Sequence, residues 1–231
     1  MMRHIKSTLG DYFFKARHAL NTARKNEQVY PLIAEYNMTY QKIDFGLALL
    51  EKLMDADKHK TELHGKQLEA HVILKNLLTE VRPVYMSHVK LMETKYRKNP
   101  ERLERLMLMV PRERSMNGWL RQADTFYSNL IHDAEMMDRL EENTITLDKL
   151  TASHAKIKEV EQAYNNHGEA KGVSQDALEA RNVLLEEFDL WFNEFLRICK
   201  MALRKHPQLL EVLGITVLSK GYVREKPEPL L

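Results

Sequence analysis

The chain has a single cysteine, Cys199, so no internal disulfide can form. A reducing cytoplasmic setting is therefore expected rather than secretion. Glycine (8) and proline (7) are scarce among 231 residues, which removes most of the turn-forming residues that a many-stranded sheet needs. No apolar run reaches the roughly eighteen residues of a helical membrane span, and the N-terminal segment lacks the apolar core of a signal peptide. The net charge of +2 is too small to point to a nucleic-acid partner. No glycine-rich phosphate loop occurs, and Gly168 and Gly172 are spaced as loop punctuation. No histidine has glutamate three residues before it, which removes the paired Glu-x-x-His signature of di-metal bundles. No metal or other cofactor is expected.

What remains is a helix-forming composition, with 44% hydrophobic and 29% charged residues. It also contains a repeat. Residues 69–110 align with 176–217 at a fixed offset of 107, anchored by KNPERLERLMLMV (Lys98–Val110) and KHPQLLEVLGITV (Lys205–Val217). Eleven of the 42 positions are identical, among them Leu77/Leu184, Glu80/Glu187, Pro100/Pro207 and Leu106/Leu213. Chance would give about two or three. A fixed period of this kind signals a duplicated supersecondary unit.

Apolar residues at steps of three and four predict helices over 5–25 and 33–54, followed by a turn in DADKHKTELHG. A long helix over 66–97 should be kinked by Pro83. A short helix starts at Asn99-Pro100, with asparagine as N-cap and proline at the first position. After a linker over 111–118 the order returns: helices over 119–142 and 147–164, a NNHGEAKGVS loop, a helix over 174–204, and a short one from His206-Pro207. The expected fold is all-α, a helical bundle built from a tandem duplication of a unit with three long helices and one short helix. One domain spans 1–231, with repeat units at about 11–117 and 118–224 and a tail over 225–231. Met107 stands where the second copy has Gly214, so the first short helix is expected to end differently.

The offset also locates candidate chemistry. His88 occupies the position of Phe195, and His154 that of Leu47. An imidazole on an apolar seam needs a hydrogen-bond partner, or it marks a pocket. Those two, with Tyr40 and Trp191, are the candidate lining of an interior ligand pocket. Histidines 59, 64 and 71 could form a surface zinc site, but no cysteine pair supports it. Cys199 falls on an apolar face, an inert thiol rather than a nucleophile. Lys95, Arg97, Lys98, Arg102, Arg105, Arg112 and Arg114 form a basic stretch. Interleaved glutamates make it read as a solvated face before a nucleic-acid surface. The basic N-terminal helix could lie on an anionic membrane surface or dock on a partner, though packing on its own bundle is favoured.

The segment VLLEEFDLWFNEFLRICKMALRKHPQLLEVLGITV, most of all Arg204 to Ile215, resembles the C-termini of uncharacterised bacterial all-helical proteins. That resemblance implies a helical bundle and carries no activity or site residue. With no convergent catalytic set, the expected function is a non-enzymatic scaffold, adaptor or self-assembling subunit, with a protein partner or a second copy as its target. The alternatives are a small-ligand-binding or catalytic bundle around His88 and His154, and nucleic-acid binding through Lys95–Arg114.

Overall fold

The computed structural model describes residues 8–141 and 145–215, without the side chains of 138, 139 and 141. The start of the expected N-terminal helix at 5–7, its end at 142 in the second copy, Val217 of the repeat and the tail over 225–231 lie outside the described residues. Among those described, every regular element is a helix: α1 (Leu9–Lys25), α2 (Val29–Ala34), α3 (Tyr40–Lys95), α4 (Pro100–Arg105), α5 (Met116–Ile131), α6 (Ala134–Glu141), α7 (Leu147–Ala202) and α8 (Pro207–Val212). No helix is long and apolar enough to cross a membrane among the described residues.

Side-chain caps place the starts. Thr8 and Asp11 form a reciprocal capping box on α1, each bond 3.2 Å. Asn99 accepts from the Arg102 N–H ahead of Pro100 on α4, and Ser115 accepts from the Gly118 N–H on α5. The bounds then follow the sequence offset. Adding 107 to Tyr40–Lys95 gives Leu147–Ala202, and adding it to Pro100–Arg105 gives Pro207–Val212.

Two expected turns are helix. DADKHKTELHG lies inside α3 and NNHGEAKGVS inside α7, each helix running 56 residues. The first stretch is polar but made of helix formers, with glycine only at its end and no proline. Its polarity records solvation, not a break. In the second, Gly168 and Gly172 face open space and weaken the helix by about 1 kcal/mol each without ending it. Each stretch of about 107 residues therefore holds one helix of between four and five turns, one long helix and two short ones, not three long and one short. α3 also continues through Pro83.

The chain packs as two compact units. Of the described residues, those from 8 to 60 join those from 176 to 215, and those between 61 and 175 form the other. The first unit buries Phe13, Ala16, Leu20 and Ala23 of α1 against Ile43, Leu50 and Leu53 of α3 and Phe188, Cys199 and Leu203 in or just after α7. The apolar face of α1 is thus spent on its own core. The second unit buries the offset counterparts Leu120, Ala123, Tyr127 and Leu130 of α5, Leu150, Ile157 and Val160 of α7, and Val81, Met92 and Tyr96 in or beside α3.

The short helices end alike, against expectation. Met107 takes a φ of 55° and Gly214 a φ of 73°, and the Leu108 and Ile215 N–H groups close onto the Leu103 and Leu210 carbonyls at 2.8 and 3.0 Å. This six-to-one closure wants a left-handed residue, which glycine adopts freely and methionine only under strain. Met107→Gly should therefore raise stability by about 0.5–1 kcal/mol, read as a higher urea midpoint with an unchanged slope.

Candidate functional site

The second unit gathers the polar mismatches of the repeat around one phenol. Tyr127 on α5, which stands in the position of Leu20, is buried with 1% exposure. Its hydroxyl lies 3.0 Å from Nδ1 of His88 on α3. The ring of His154 on α7 stacks on it, with centroids 6.0 Å apart and planes 25° from parallel. His154 Nε2 in turn lies 2.7 Å from Asp124 Oδ1, and Lys158 holds the same oxygen at 2.8 Å. The two histidines predicted from the repeat are thus brought together, each with a hydrogen-bond partner.

Burial pushes the His88 imidazole below the ordinary histidine value and keeps the Tyr127 phenol protonated far up the pH scale. Burial also opposes the Asp124 carboxylate, but hydrogen bonds from Lys158 and His154 outweigh it, leaving the pKa below the usual range. The unfolded chain therefore binds a proton at His88 more readily than the folded one. Its contribution to stability is present above about pH 6.5 and is lost as the pH falls through that value. His88→Phe should flatten this part of the profile, so that urea midpoints for variant and parent converge or cross between about pH 7 and 5.

Beside the phenol opens a cleft of about 280 Å³, lined by Glu80, Val81 and Val84 of α3, Tyr127, and Ala152, Ser153 and Lys156 of α7. Each lining residue has a counterpart 107 positions away: Glu187, Phe188, Trp191, Leu20, Phe45, Gly46 and Leu49. In the first unit those counterparts fill the space. The Trp191 indole lies so close over Gly46 that a Cβ there would meet ring carbons at 2.0 and 2.2 Å. It stacks on Phe195 at 5.8 Å and 9° and meets Phe45 edge-on at 6.3 Å. Where indole becomes isopropyl, phenyl becomes methyl and leucine becomes lysine, the second unit is left open.

Tyr40 and Trp191 belong to the first unit. Tyr40 stacks on Tyr30 at 3.6 Å, and Trp191 serves as the filling just described, so neither joins the histidine pair. The basic stretch is partly neutralised. Arg102 pairs with Glu135 and lies over the Tyr96 ring, and Arg112 bridges to Glu93 at 2.9 Å. Arg97, Lys98, Arg105 and Arg114 are exposed, and Lys95 is half-buried. His59 and His64 ride on α3, and the His71 ring lies 5.4 Å from that of His167. Among the described residues no three histidine, cysteine or acidic side chains converge as metal ligands. Burial raises the Cys199 thiol to about 12, which keeps it protonated.

Sequence reasoning missed Val84, Ala152 and Ser153. The signal lay in the offset, where small residues face Trp191, Phe45 and Gly46, but only contact geometry links the three changes. No family model, no curated protein and no solved structure matches the chain.

Proposed function

We propose that the chain is a tandem duplication of a unit of about 107 residues and that it acts by non-covalent binding, with the cleft of the second unit as its binding site. The shared helix bounds and the counterpart core positions support the duplication. One observation carries the functional reading: the cleft lies where the other unit plugs itself with Trp191 over Gly46. At about 280 Å³ it falls near the lower end of small-ligand sites, and its apolar walls meet a few placed polar groups in the usual manner. His88, Tyr127 and His154 hold one another in this reading, as positioning residues of the wall rather than as an acid–base set. A thermal-shift screen of drug-fragment compounds tests it, run on the parent and on Val84→Trp/Ser153→Gly, which rebuilds the plug. Hits on the parent that vanish in the variant are expected; hits common to both would overturn the reading.

A second reading, a scaffold or self-assembling subunit, is favoured by a different observation. Leu68, Val72 and Ile73 of α3 are each more than half exposed. Ile73 lines a groove of about 530 Å³ with Ala70, Leu77 and Ala163. Its natural occupant would be a second copy, so light scattering after size exclusion should give twice 27.2 kDa. A strict monomer at every concentration would sink it.

A further inference from the structure

We infer that the cleft takes one small planar aromatic molecule bearing an N–H or O–H at its edge, seated where the first unit seats the Trp191 indole. This rests on the binding reading above and names its ligand class. The first unit supplies the template: an indole with a glycine beneath it, a ring stacked against its face, and a second ring at its edge. In the second unit the counterpart of Phe195 is His88, one helical turn beyond Val84 as Phe195 is beyond Trp191; the ring that lines the cleft is Tyr127, whose hydroxyl lies 3.0 Å from the His88 imidazole. Burial lowers the pKa of that imidazole and so favours its neutral form.

The polar edge follows from Ser153. Its hydroxyl donates to the Lys149 carbonyl at 2.8 Å and neighbours the Tyr127 hydroxyl, so its proton is committed and one of its two lone pairs is left for a ligand. A ligand that gives it a hydrogen bond keeps it satisfied after water leaves, whereas a bare hydrocarbon would not. Glycine at the counterpart position presents no such side-chain acceptor. The size of the space sets the number of rings at one, or one fused pair.

Indole is the probe, titrated into the full chain and followed by calorimetry and by the His88 ring-proton shifts. A Kd on the order of 0.1–1 mM is expected, in keeping with so few ligand atoms. Cyclohexanol, which has the donor but not the flat ring, should bind at least about tenfold more weakly, and 1-methylindole, with the ring but not the donor, several-fold more weakly. Val84→Trp/Ser153→Gly should abolish indole binding while keeping its helical signal and a cooperative melt. Ser153→Ala, which leaves the wall intact, should weaken indole without changing the affinity for 1-methylindole.

Indole binding that survives the plug overturns the inference, as does no binding at millimolar concentration. Cyclohexanol binding as tightly as indole overturns it too. If other fragments bind the parent and not the plugged variant while indole does not bind, the ligand class falls and the binding reading stands. If no compound distinguishes the two proteins, both fall. Concentration-dependent dimers that indole dissociates would assign the cleft to an aromatic side chain of a second copy, which also overturns the inference.

Discussion

Gly46→Ser is expected to destabilise the first unit by about 1–3 kcal/mol, although helix propensity alone predicts the opposite. Serine is a better helix former than glycine by a few tenths of a kcal/mol, so at an open position the change would help. Gly46 is not open. A Cβ built on it meets three ring carbons of Trp191 between 2.0 and 2.7 Å, inside any van der Waals contact. The indole has nowhere easy to go, since it is stacked on Phe195 and Phe188 and flanked by Phe45. Moving it forfeits those contacts, which is the ordinary cost of overpacking. A fall in melting temperature of roughly 2–4 °C per kcal/mol should follow in a chain of this length. Trp191→Val removes the clash and exposes the same constellation that the second unit carries. Gly46→Ser in that background should therefore be neutral or mildly stabilising. A double-mutant cycle on thermal or urea midpoints checks the pair. Additive effects would mean that the indole does not depend on Gly46.

Much of the architecture was legible in the sequence because it depends on local pattern. The seams at steps of three and four, the Asn99-Pro100 start, and the offset of 107 all survive in the helices. The two polar stretches were misread because turn and solvated helix share a polar composition. What separates them is the absence of a breaker in the first and the tolerance of isolated glycines in the second. The first short helix was expected to end differently, yet Met107 adopts the conformation that Gly214 favours, since tertiary packing overrides the local preference.

The site was half legible. His88 and His154 stood out as charged-capable residues on apolar seams. Their meeting point did not, because Tyr127 facing Leu20 looks like an exchange of one large residue for another. The cleft was further from reach. A valine opposite a tryptophan is unremarkable until the tryptophan is known to rest on a glycine, and the glycine to face a serine. Tyr40 and Trp191 carry no pocket signal beyond their rings, and aromatic residues more often fill a core than line a pocket.

The same logic run in the other unit gives the second large effect. Val84→Trp alone should be destabilising by about 1–3 kcal/mol, because the new indole meets the Ser153 side chain where Trp191 meets bare Gly46. Ser153→Gly alone should cost about 0.5–1 kcal/mol through backbone entropy in the second turn of α7. It also takes the hydroxyl from its neighbours Lys149 and Tyr127. Together the two losses should turn into a gain. With the glycine in place the indole can lie across the helix, cover the exposed Ala152, and bury apolar area in place of an open cleft of about 280 Å³. The double variant should therefore be at least as stable as the parent, with a coupling of roughly 2–3 kcal/mol between the sites. Ala152→Phe, restoring the edge ring, should add to it. Urea midpoints of the parent, the two singles and the double measure this directly. A double variant as unstable as the sum of its singles would mean that the two clefts are not equivalent, and the comparison from which the binding site is drawn would lose its basis.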